Sequence, residues 1–247
     1  MKKISLIAMT SMMLMTCTSN TISISLINDQ EGMSMGSNVF PGVPEEVWNS
    51  LDDQSPKSSV SCVLLKSDGK SILFDAGMGS PSSTLIQQMK IHEVAPEELD
   101  MICLTHMHAD HIGGLLADGK PVFPNAELYV NRLEADAWSA DGQQKQVLDA
   151  YKDRLHLFDA GTELPGHIKT IAAYGHTPGH TVYQVLDCLI IGDIIHSAAL
   201  QLKYPQYGPS FDSDQQAARD SRISILNYAK DNSLTMYGMH MSKPVEF

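Results

Sequence analysis

A short segment crowded with metal-binding side chains, His106-Met107-His108-Ala109-Asp110-His111, constrains this chain more than any other feature. It directly follows residues 101–105, a largely apolar run whose β-forming residues predict a buried strand. His106 and His108 are two residues apart, so they project to one side where the strand ends. Imidazole and carboxylate groups clustered in this way suit a divalent transition metal. The alternative, a set of exposed surface histidines, requires a pattern that arises by chance in about one chain in a thousand of this size.

Three later segments each place a His or an Asp just after a predicted strand. They are Gly175-His176-Thr177-Pro178-Gly179-His180, Gly192-Asp193 and Gly238-Met239-His240. Sites in α/β proteins form where strands end, so these residues can converge with the first motif although they are distant in sequence. One metal ion takes only three or four protein ligands, and the combined set is large enough for two ions.

The motifs, taken in order, resemble those of the metallo-β-lactamase superfamily from about residue 55 onward. The segments that carry the resemblance are residues 72–77, 105–114, 175–180, 192–193 and 239–240. The resemblance implies an α/β (α+β) fold, a four-layer αββα sandwich. Two mixed β-sheets would lie face to face, with helices outside and the metals at one edge.

The resemblance also assigns ligands to two divalent metal ions. The first ion would be bound by His106, His108 and His176, and the second by Asp110, His111 and His240. Asp193 would bridge the two ions. Zinc suits this histidine-rich set best, with iron, manganese and cobalt as alternatives, because affinity order alone does not decide which metal is loaded in cells.

Asp193 also discriminates within the superfamily, because true β-lactamases lack the bridging aspartate. The chain looks more like the hydrolases of lactones, thioesters, phosphotriesters and phosphodiesters. Residues 123–130, 134–138 and 192–196, with Gln201, resemble a secreted branch that includes methyl parathion hydrolase and related lactonases.

We therefore expect a secreted, binuclear, metal-dependent hydrolase in which an activated hydroxide attacks a lactone or ester carbonyl of a small molecule. Asp110 or Asp193 would move the proton to the leaving group. His196, three residues after Asp193, either polarises the leaving group or has a structural role. One alternative is a phosphotriesterase-like or phosphodiesterase-like hydrolase. Another is a non-catalytic, metal-binding surface lipoprotein whose site has decayed.

Other polar residues have simpler interpretations. Asp75 is expected to accept a hydrogen bond from a metal-bound imidazole, and His180 to fix a loop rather than bind metal. The histidines outside the motifs are expected at the surface; they are His92, His156 and His167.

Charge and the N-terminus indicate partners and location. A formal net charge of -12 disfavours nucleic acid, because clustered Lys and Arg are missing. Residues 1–20 combine Lys2-Lys3, an apolar stretch and a polar end, which is typical of a signal peptide. Leu14-Met15-Thr16-Cys17 resembles a lipobox, so Cys17 could be lipidated and anchor the chain to a membrane. The expectation is an exported protein, periplasmic or membrane-anchored, with one domain over residues 21–247.

Two segments leave alternatives open. Residues 28–56 are polar and turn-rich, and their isolated Met and aromatic residues favour a lid over the metals rather than an irregular arm. In the loop 201–208, Tyr204 or Tyr207 either contacts substrate or packs against that lid. Cys62, Cys103 and Cys188 are an odd number outside the signal peptide, which predicts core packing rather than disulfides.

Overall fold

A computed structural model describes residues 22–54 and 56–247. The predicted signal peptide, including Cys17, lies outside the described residues. Within the described ranges, none of the helices combines the length and apolar character needed to cross a membrane.

Strands dominate the core, and helices flank them. The strands are β1 (Ser23–Ser34), β2 (Lys57–Ser67), β3 (Lys70–Phe74), β4 (Met101–Cys103), β5 (Leu116–Ala117), β6 (Lys120–Pro121), β7 (Glu127–Asn131), β8 (Leu155–Phe158), β9 (Glu163–Leu164), β10 (Ile168–Ala172), β11 (Thr181–Val185), β12 (Cys188–Gly192) and β13 (Thr235–Gly238). The α-helices are α1 (Glu45–Asn49), α2 (Leu85–Ile91), α3 (Ala109–Ile112), α4 (Arg132–Ala137), α5 (Gly142–Ala150), α6 (Ala198–Gln201) and α7 (Gln215–Asp231).

Two mixed sheets form the centre of the molecule. The first has the strand order β1-β2-β3-β4-β7-β8, antiparallel from β1 to β3 and parallel from β3 to β8. The second has the order β13-β12-β11-β10-β9, with only the β12–β13 pair parallel. Strands β5 and β6 pair as a small separate hairpin.

Alternation along the strands creates four layers, because successive side chains point to opposite faces. In β2, Cys62 and Leu64 pack in a cluster with residues of α2 and α5, whereas Val63 and Leu65 pack against the second sheet. The outer face of the second sheet is covered by α7, which contributes Ile225 to a third cluster. The predicted αββα sandwich is confirmed.

Local signals in the sequence explain several boundaries. The predicted hairpin of β2 and β3 turns at Asp68 and Gly69, which have φ of 52° and 76°. Asp214 accepts hydrogen bonds from two N–H groups at the start of α7, as an N-cap does. Helix α5 begins at Gly142, well before its first buried residue, Val147, and ends at Ala150. Its first turns are polar and exposed, so they carry no apolar signal in the sequence.

The N-terminal arm, residues 28–56, begins as an ordered strand whose end lines the pocket over the predicted ligands. Strand β1 continues to Ser34 with irregular register after Asn28 and after Glu31, so the prediction of turn-rich chain from residue 28 is wrong. An edge strand that faces solvent can be largely polar, which hid it in the sequence. Phe40 and Trp48 then form a cluster that Tyr204 and Tyr207 pack against. The aromatic residues of the 201–208 loop therefore pack against the arm.

Candidate metal centre

The seven predicted ligands all lie where strands or the turns after them reach one edge of the sandwich. His106 and His108 follow β4, and α3 carries Asp110 and His111. His176 follows β10, Asp193 follows β12 and His240 follows β13. The prediction that these segments converge is confirmed. Three groups of side chains could each hold an ion: His106, His108, His176 and Asp193; Asp110, His111 and His240; and Asp193, His196 and His240.

The first group, which we call the first position, is tightly spaced. His108 Nδ1 lies 3.0 Å from His106 Nε2 and 3.0 Å from His176 Nε2. Asp193 Oδ2 lies 3.2 Å from His176 Nε2 and 3.7 Å from His106 Nε2. Ligand atoms on one tetrahedral zinc ion, bound at about 2.0–2.1 Å, are roughly 3.3–3.4 Å apart. The spacing therefore fits one such ion.

Asp193 of the first group also reaches the second group, Asp110, His111 and His240, which we call the second position. Asp193 Oδ1 lies 3.1 Å from His111 Nε2, and Asp193 Oδ2 lies 3.1 Å from His240 Nε2. Asp110 Oδ2 is 3.8 Å from His111 Nε2 and 3.6 Å from His240 Nε2. With one carboxylate between both groups, the arrangement can accommodate two neighbouring cations.

Two buried atoms indicate that a cation belongs here. His111 Nε2 and Asp193 Oδ1 are both buried without a hydrogen-bond partner. Buried polar atoms are otherwise almost always satisfied, because an unmet hydrogen bond costs about 1–3 kcal/mol. A divalent ion would satisfy both at once, so the donor set fits the metals expected from the resemblance.

The local electrostatics favour the metal-binding protonation state at three of the predicted ligands, His106, His108 and Asp193. At His111 and His240 burial lowers the pKa, but the neighbouring carboxylate of Asp193 outweighs it and raises that pKa. Burial, with the neighbouring imidazole of His111, keeps the pKa of His106 well below 6.5. Burial, with the neighbouring imidazole of His176, lowers the pKa of His108 to about 4. Burial opposes ionisation of Asp193, but the surrounding imidazoles hold the pKa of that carboxyl well below its usual range. Neutral imidazole and ionised carboxylate are the forms that coordinate metal.

Asp75 orients one ligand, as expected. It is fully buried, and its Oδ2 accepts hydrogen bonds from His111 Nδ1 at 2.7 Å and Thr105 Oγ1 at 2.7 Å. Its Oδ1 accepts from the Thr105 backbone N–H at 2.8 Å. A proton on Nδ1 leaves Nε2 of His111 free to bind metal. Asp75 thus acts through His111.

Asp212 and Arg222 form a supporting pair that the sequence did not reveal. Asp212 Oδ1 accepts from His176 Nδ1 at 2.9 Å, and Arg222, only 1% exposed, donates to Asp212 Oδ2 at 3.1 Å. Arg222 Nε also donates to the Ile194 carbonyl at 2.9 Å, just after Asp193. Burial lowers the pKa of His176, but the hydrogen bonds to Asp193 and Asp212 outweigh it and raise that pKa to about 9. Asp212 lies outside every motif, so no spacing signal marks it.

Two further groups hold predicted ligands in place: the imidazole of His180 and the backbone carbonyl of Ser59. His180 is not among the grouped ligands; its Nε2 accepts the Asp193 N–H at 3.0 Å, which confirms a loop-fixing role. A Cβ at Gly192 would lie 2.7 Å from that same nitrogen, so glycine is required there. His240 Nδ1 donates to the Ser59 carbonyl of β2 at 2.9 Å, which joins the two sheets at the site.

His196 lies beside Asp193 and is buried. Its Nε2 is 3.2 Å from Asp193 Oδ2, and its ring stacks on that of His240 with centroids 5.0 Å apart. Burial lowers its pKa to about 4, so the ring is neutral near pH 7. It lines a small cavity of about 170 Å³ that neighbours the main pocket. Its catalytic role stays a prediction.

A pocket of about 430 Å³ lies over the site. Four predicted ligands line it: His108, Asp110, Asp193 and His240. Its apolar wall comes from the end of β1, from β2 and from separate loops: Met33, Met35, Val60, Met78 and Phe211. Phe211 is 41% exposed, and its ring centroid lies 5.0 Å from that of His196. The pocket therefore combines metal-ligand chemistry with an apolar surface.

Comparison with known families agrees with this geometry. A family model described as the metallo-beta-lactamase superfamily matches residues 56–240. The chain belongs to the metallo-β-lactamase superfamily. This confirms the resemblance. The secreted branch stays a prediction.

Curated relatives of this superfamily match over part of their length. Hydroxyacylglutathione hydrolase of Xanthomonas euvesicatoria pv. vesicatoria (strain 85-10) is 29% identical over 159 residues, 63% of this chain and 54% of that protein. The probable metallo-hydrolase YqgX of Bacillus subtilis (strain 168) is 30% identical over 149 residues, 56% of this chain and 66% of that protein. Ribonuclease Z of Borreliella burgdorferi (strain ZS7) is 42% identical over 57 residues, 23% of this chain and 16% of that protein. The chain spans less than two thirds of each of these relatives.

Solved structures share the fold over most of the chain. AidC, a dizinc quorum-quenching lactonase in complex with a product, has a TM-score of 0.82 at 24% identity, covering 90% of this chain and 88% of that one. The hydrolase AbOPH of the β-lactamase superfamily has a TM-score of 0.78 at 26% identity, covering 89% and 87%. These likenesses support the αββα fold.

Proposed function

We propose that the chain is an exported, binuclear, metal-dependent hydrolase that opens lactones or cleaves esters of small molecules. The observation that carries this proposal is the convergence of seven ligand side chains, two of them with buried unpartnered atoms, beneath one partly apolar pocket. Divalent ions bound there would acidify water and polarise a carbonyl oxygen, which is the chemistry of two-metal hydrolases.

The chain's own residues would orient the reactants and move a proton. Asp110 is 23% exposed and lines the pocket, so its carboxylate can take a proton from water and pass it to a leaving alkoxide. Asp193 is held by His180 at its backbone N–H and by the imidazoles of His196 and His240 at Oδ2, so it stays fixed between the two positions. His196, neutral and buried against Asp193, would orient that carboxylate.

The pocket wall supports a substrate with an apolar part. Met33 and Met78 offer flexible, polarisable surface, and Phe211 adds an exposed ring beside the imidazoles. An acyl or aryl group could pack there while its carbonyl lies over Asp110 and Asp193. The dizinc lactonase fold of AidC and the hydrolase AbOPH support this choice of reaction. Zinc is the metal we propose.

The decisive experiment is pH-stat hydrolysis by mature protein loaded with zinc or manganese. The panel contains an acyl-homoserine lactone, an aryl ester, a thioester, a phosphotriester and a β-lactam. We expect turnover of the lactone or the aryl ester, loss of turnover with a chelator, and recovery when metal is restored. If the phosphotriester were the preferred substrate, the protein would instead be a phosphotriesterase-like hydrolase.

Matched variants separate the site from the rest of the protein. His106→Asn removes a predicted ligand and should abolish turnover, whereas the exposed His167→Asn should not change it. A wild-type protein that binds no metal and turns over no member of the panel would indicate a decayed site and contradict the proposal.

Export is a separate proposal that rests on the first 20 residues. Fractionation of cells that produce the whole chain should place it outside the cytoplasm. Labelling with a fatty acid should mark the wild type but not Cys17→Ser if the cysteine is lipidated; a cytoplasmic, unlabelled product would contradict both.

A further inference from the structure

Glu134 in α4 is a buried carboxylate that the proposed chemistry does not use. It is only 1% exposed and is not a member of the ligand groups. An ionised or polar group at such depth is costly unless hydrogen bonds compensate for the lost water. The partners of Glu134 therefore indicate what keeps it there.

Three N–H groups converge on this carboxylate. Oε1 accepts from the Met107 backbone at 2.9 Å and from Trp138 Nε1 at 2.8 Å. Oε2 accepts from the Gly179 backbone at 2.9 Å. Met107 lies between His106 and His108, and Gly179 lies three residues after His176. One side chain thus links the two loops that carry the three imidazoles of the first position.

The close approach of these loops depends on glycine. A Cβ at Gly179 would lie 2.3 Å from the Glu134 backbone nitrogen, so the 175–180 loop rests directly on α4. Asn131 adds a second tie, because its Nδ2 donates to Thr181 Oγ1 at 3.0 Å while its Oδ1 caps α4. The helix therefore holds the His176 loop at two points.

Trp138 completes the connection to the ligands. While its Nε1 donates to Glu134, its ring lies edge-on to His108, with centroids 5.9 Å apart and planes at 75°. Gln144 donates to the Met107 carbonyl at 3.1 Å and restrains the same loop from α5. Displacing Glu134 would therefore shift both the backbone and a side-chain wall of the first position.

We propose that Glu134 is a positioning residue. It holds the loop of His106 and His108 at the correct distance from the loop of His176, so that the three imidazoles meet at the first metal position. It acts on that position, because the two imidazoles of the second position, His111 and His240, are oriented by Asp75 and by the Ser59 carbonyl. The inference rests on the proposed metal site but not on the identity of the substrate.

Glu134→Gln tests the linkage with little change in shape. A glutamine offers one acceptor oxygen, so its NH2 group must face either the Gly179 N–H or the Met107 and Trp138 donors. We expect about 10- to 100-fold weaker metal binding at the first position, the effect typical of groups that support a ligand. Binding at the second position should stay within about threefold.

Stepwise cobalt titration of the metal-free protein, followed by its visible absorption and by chelator competition, measures this. His176→Asn identifies the step of the first position and His240→Asn the step of the second. Glu134→Gln should lower the cobalt affinity of the first position, which is the binding step that His176→Asn abolishes. Glu163→Gln, an exposed residue paired with His167, is the matched control and should bind like the wild type.

The outcomes separate the two proposals. If the wild type binds no cobalt, the metal-dependent function fails first. If the wild type binds two ions and Glu134→Gln binds them equally well, or weakens both steps equally, the positioning role is overturned. Should Glu134→Gln not fold, Glu134→Asp keeps the charge but is too short to reach both loops. Cobalt affinity at the first position should fall at least tenfold in this variant as well. Wild-type cobalt affinity there would overturn the positioning role.

Discussion

The two metal positions share Asp193 but are held in different ways. At the first position, His176 is oriented by Asp212, and the loops of His106 and His108 are tied to it through Glu134. Its supports come from side chains of α4 and of the segment before α7. At the second position, His111 is oriented by Asp75, and His240 by a carbonyl of β2. Those supports belong to the first sheet and the loop after β3.

Solvent access differs as well. At the first position His106 and His176 are buried and, of the three imidazoles, His108 alone lines the pocket. At the second position His111 is buried, but Asp110, which is 23% exposed, and His240 both line the pocket. The first position is therefore the more enclosed, and the second presents its carboxylate to a substrate. One bridging residue can therefore join an enclosed metal position and an accessible one. Substituting the residues that orient the ligands of one position should lower the metal affinity of that position and leave the other unchanged.

The largest effect is expected where the two positions meet. Asp193→Ala removes the carboxylate that reaches both groups. Both metal affinities and turnover should therefore fall by more than about 100-fold, which exceeds the effect of losing a residue that only supports a ligand. Metal content after dialysis and turnover of the best panel substrate measure this. A variant that kept two ions at wild-type affinity would show that the positions are independent and that the bridge is wrongly assigned.

Asp212→Asn should weaken the first position and also destabilise the fold. It leaves the guanidinium of Arg222 buried without its counter-charge, at a cost of about 3–5 kcal/mol in the free energy of unfolding. First-position affinity should fall about 10- to 100-fold, because His176 loses its orienting carboxylate. Urea denaturation of metal-free protein and cobalt titration measure the two effects.

A double variant sharpens this prediction. Asp212→Asn with Arg222→Met removes the unpaired charge, so stability should largely return while the first position stays weak. Asp220→Asn, on the exposed face of α7, is the control and should change stability by less than about 0.5 kcal/mol. Full recovery of metal affinity in the double variant would show that Asp212 acts only through stability.

Asp75→Asn is the matching change at the second position. Asp75 has φ of 58°, a conformation that asparagine tolerates, so the backbone should not move. If the amide NH2 faces His111, Nδ1 must become an acceptor and the proton moves to Nε2, which can then no longer bind metal. We expect about tenfold weaker binding at the second position with the first unchanged, measured by the same titration. Equal weakening of both would contradict the separation.

The contiguous part of this site was predictable, and much of its support was not. Residues 106–111 place four ligands in one turn, where spacing alone reveals them. Asp193 and His240 were found because each follows a strand within an ordered set of motifs. Asp212 and Glu134 act on residues 36 and 27 positions away, and Ser59 acts through its carbonyl. Backbone acceptors and distant partners leave no periodic or motif signal in a single sequence.

Strands were predictable from the sequence where both faces of the sheet are buried. They were not predictable where one face is exposed to solvent. Residues 60–65 and 71–75 were recognisable as strands because apolar side chains line both faces of the sheet there. The end of β1 is polar on its exposed side, so its continuation through Met33 to the pocket was missed. The part of the arm nearest the substrate was therefore the least predictable.

The smallest effect is expected at Phe211, which contacts His176 from the pocket side with ring centroids 6.0 Å apart. Phe211→Ala should leave both metal affinities unchanged, because the ring is 41% exposed and orients no ligand nitrogen. It should raise KM about three- to tenfold for substrates with a long acyl chain and less for short ones, since roughly 1 kcal/mol of apolar contact is lost. Steady-state kinetics across acyl-chain lengths measure this, with the exposed Ile91→Ala as control. A uniform fall in kcat with unchanged KM would instead show that Phe211 supports the ligands of the first position. The first position would then depend on a residue of the pocket wall and could not be described as the enclosed one.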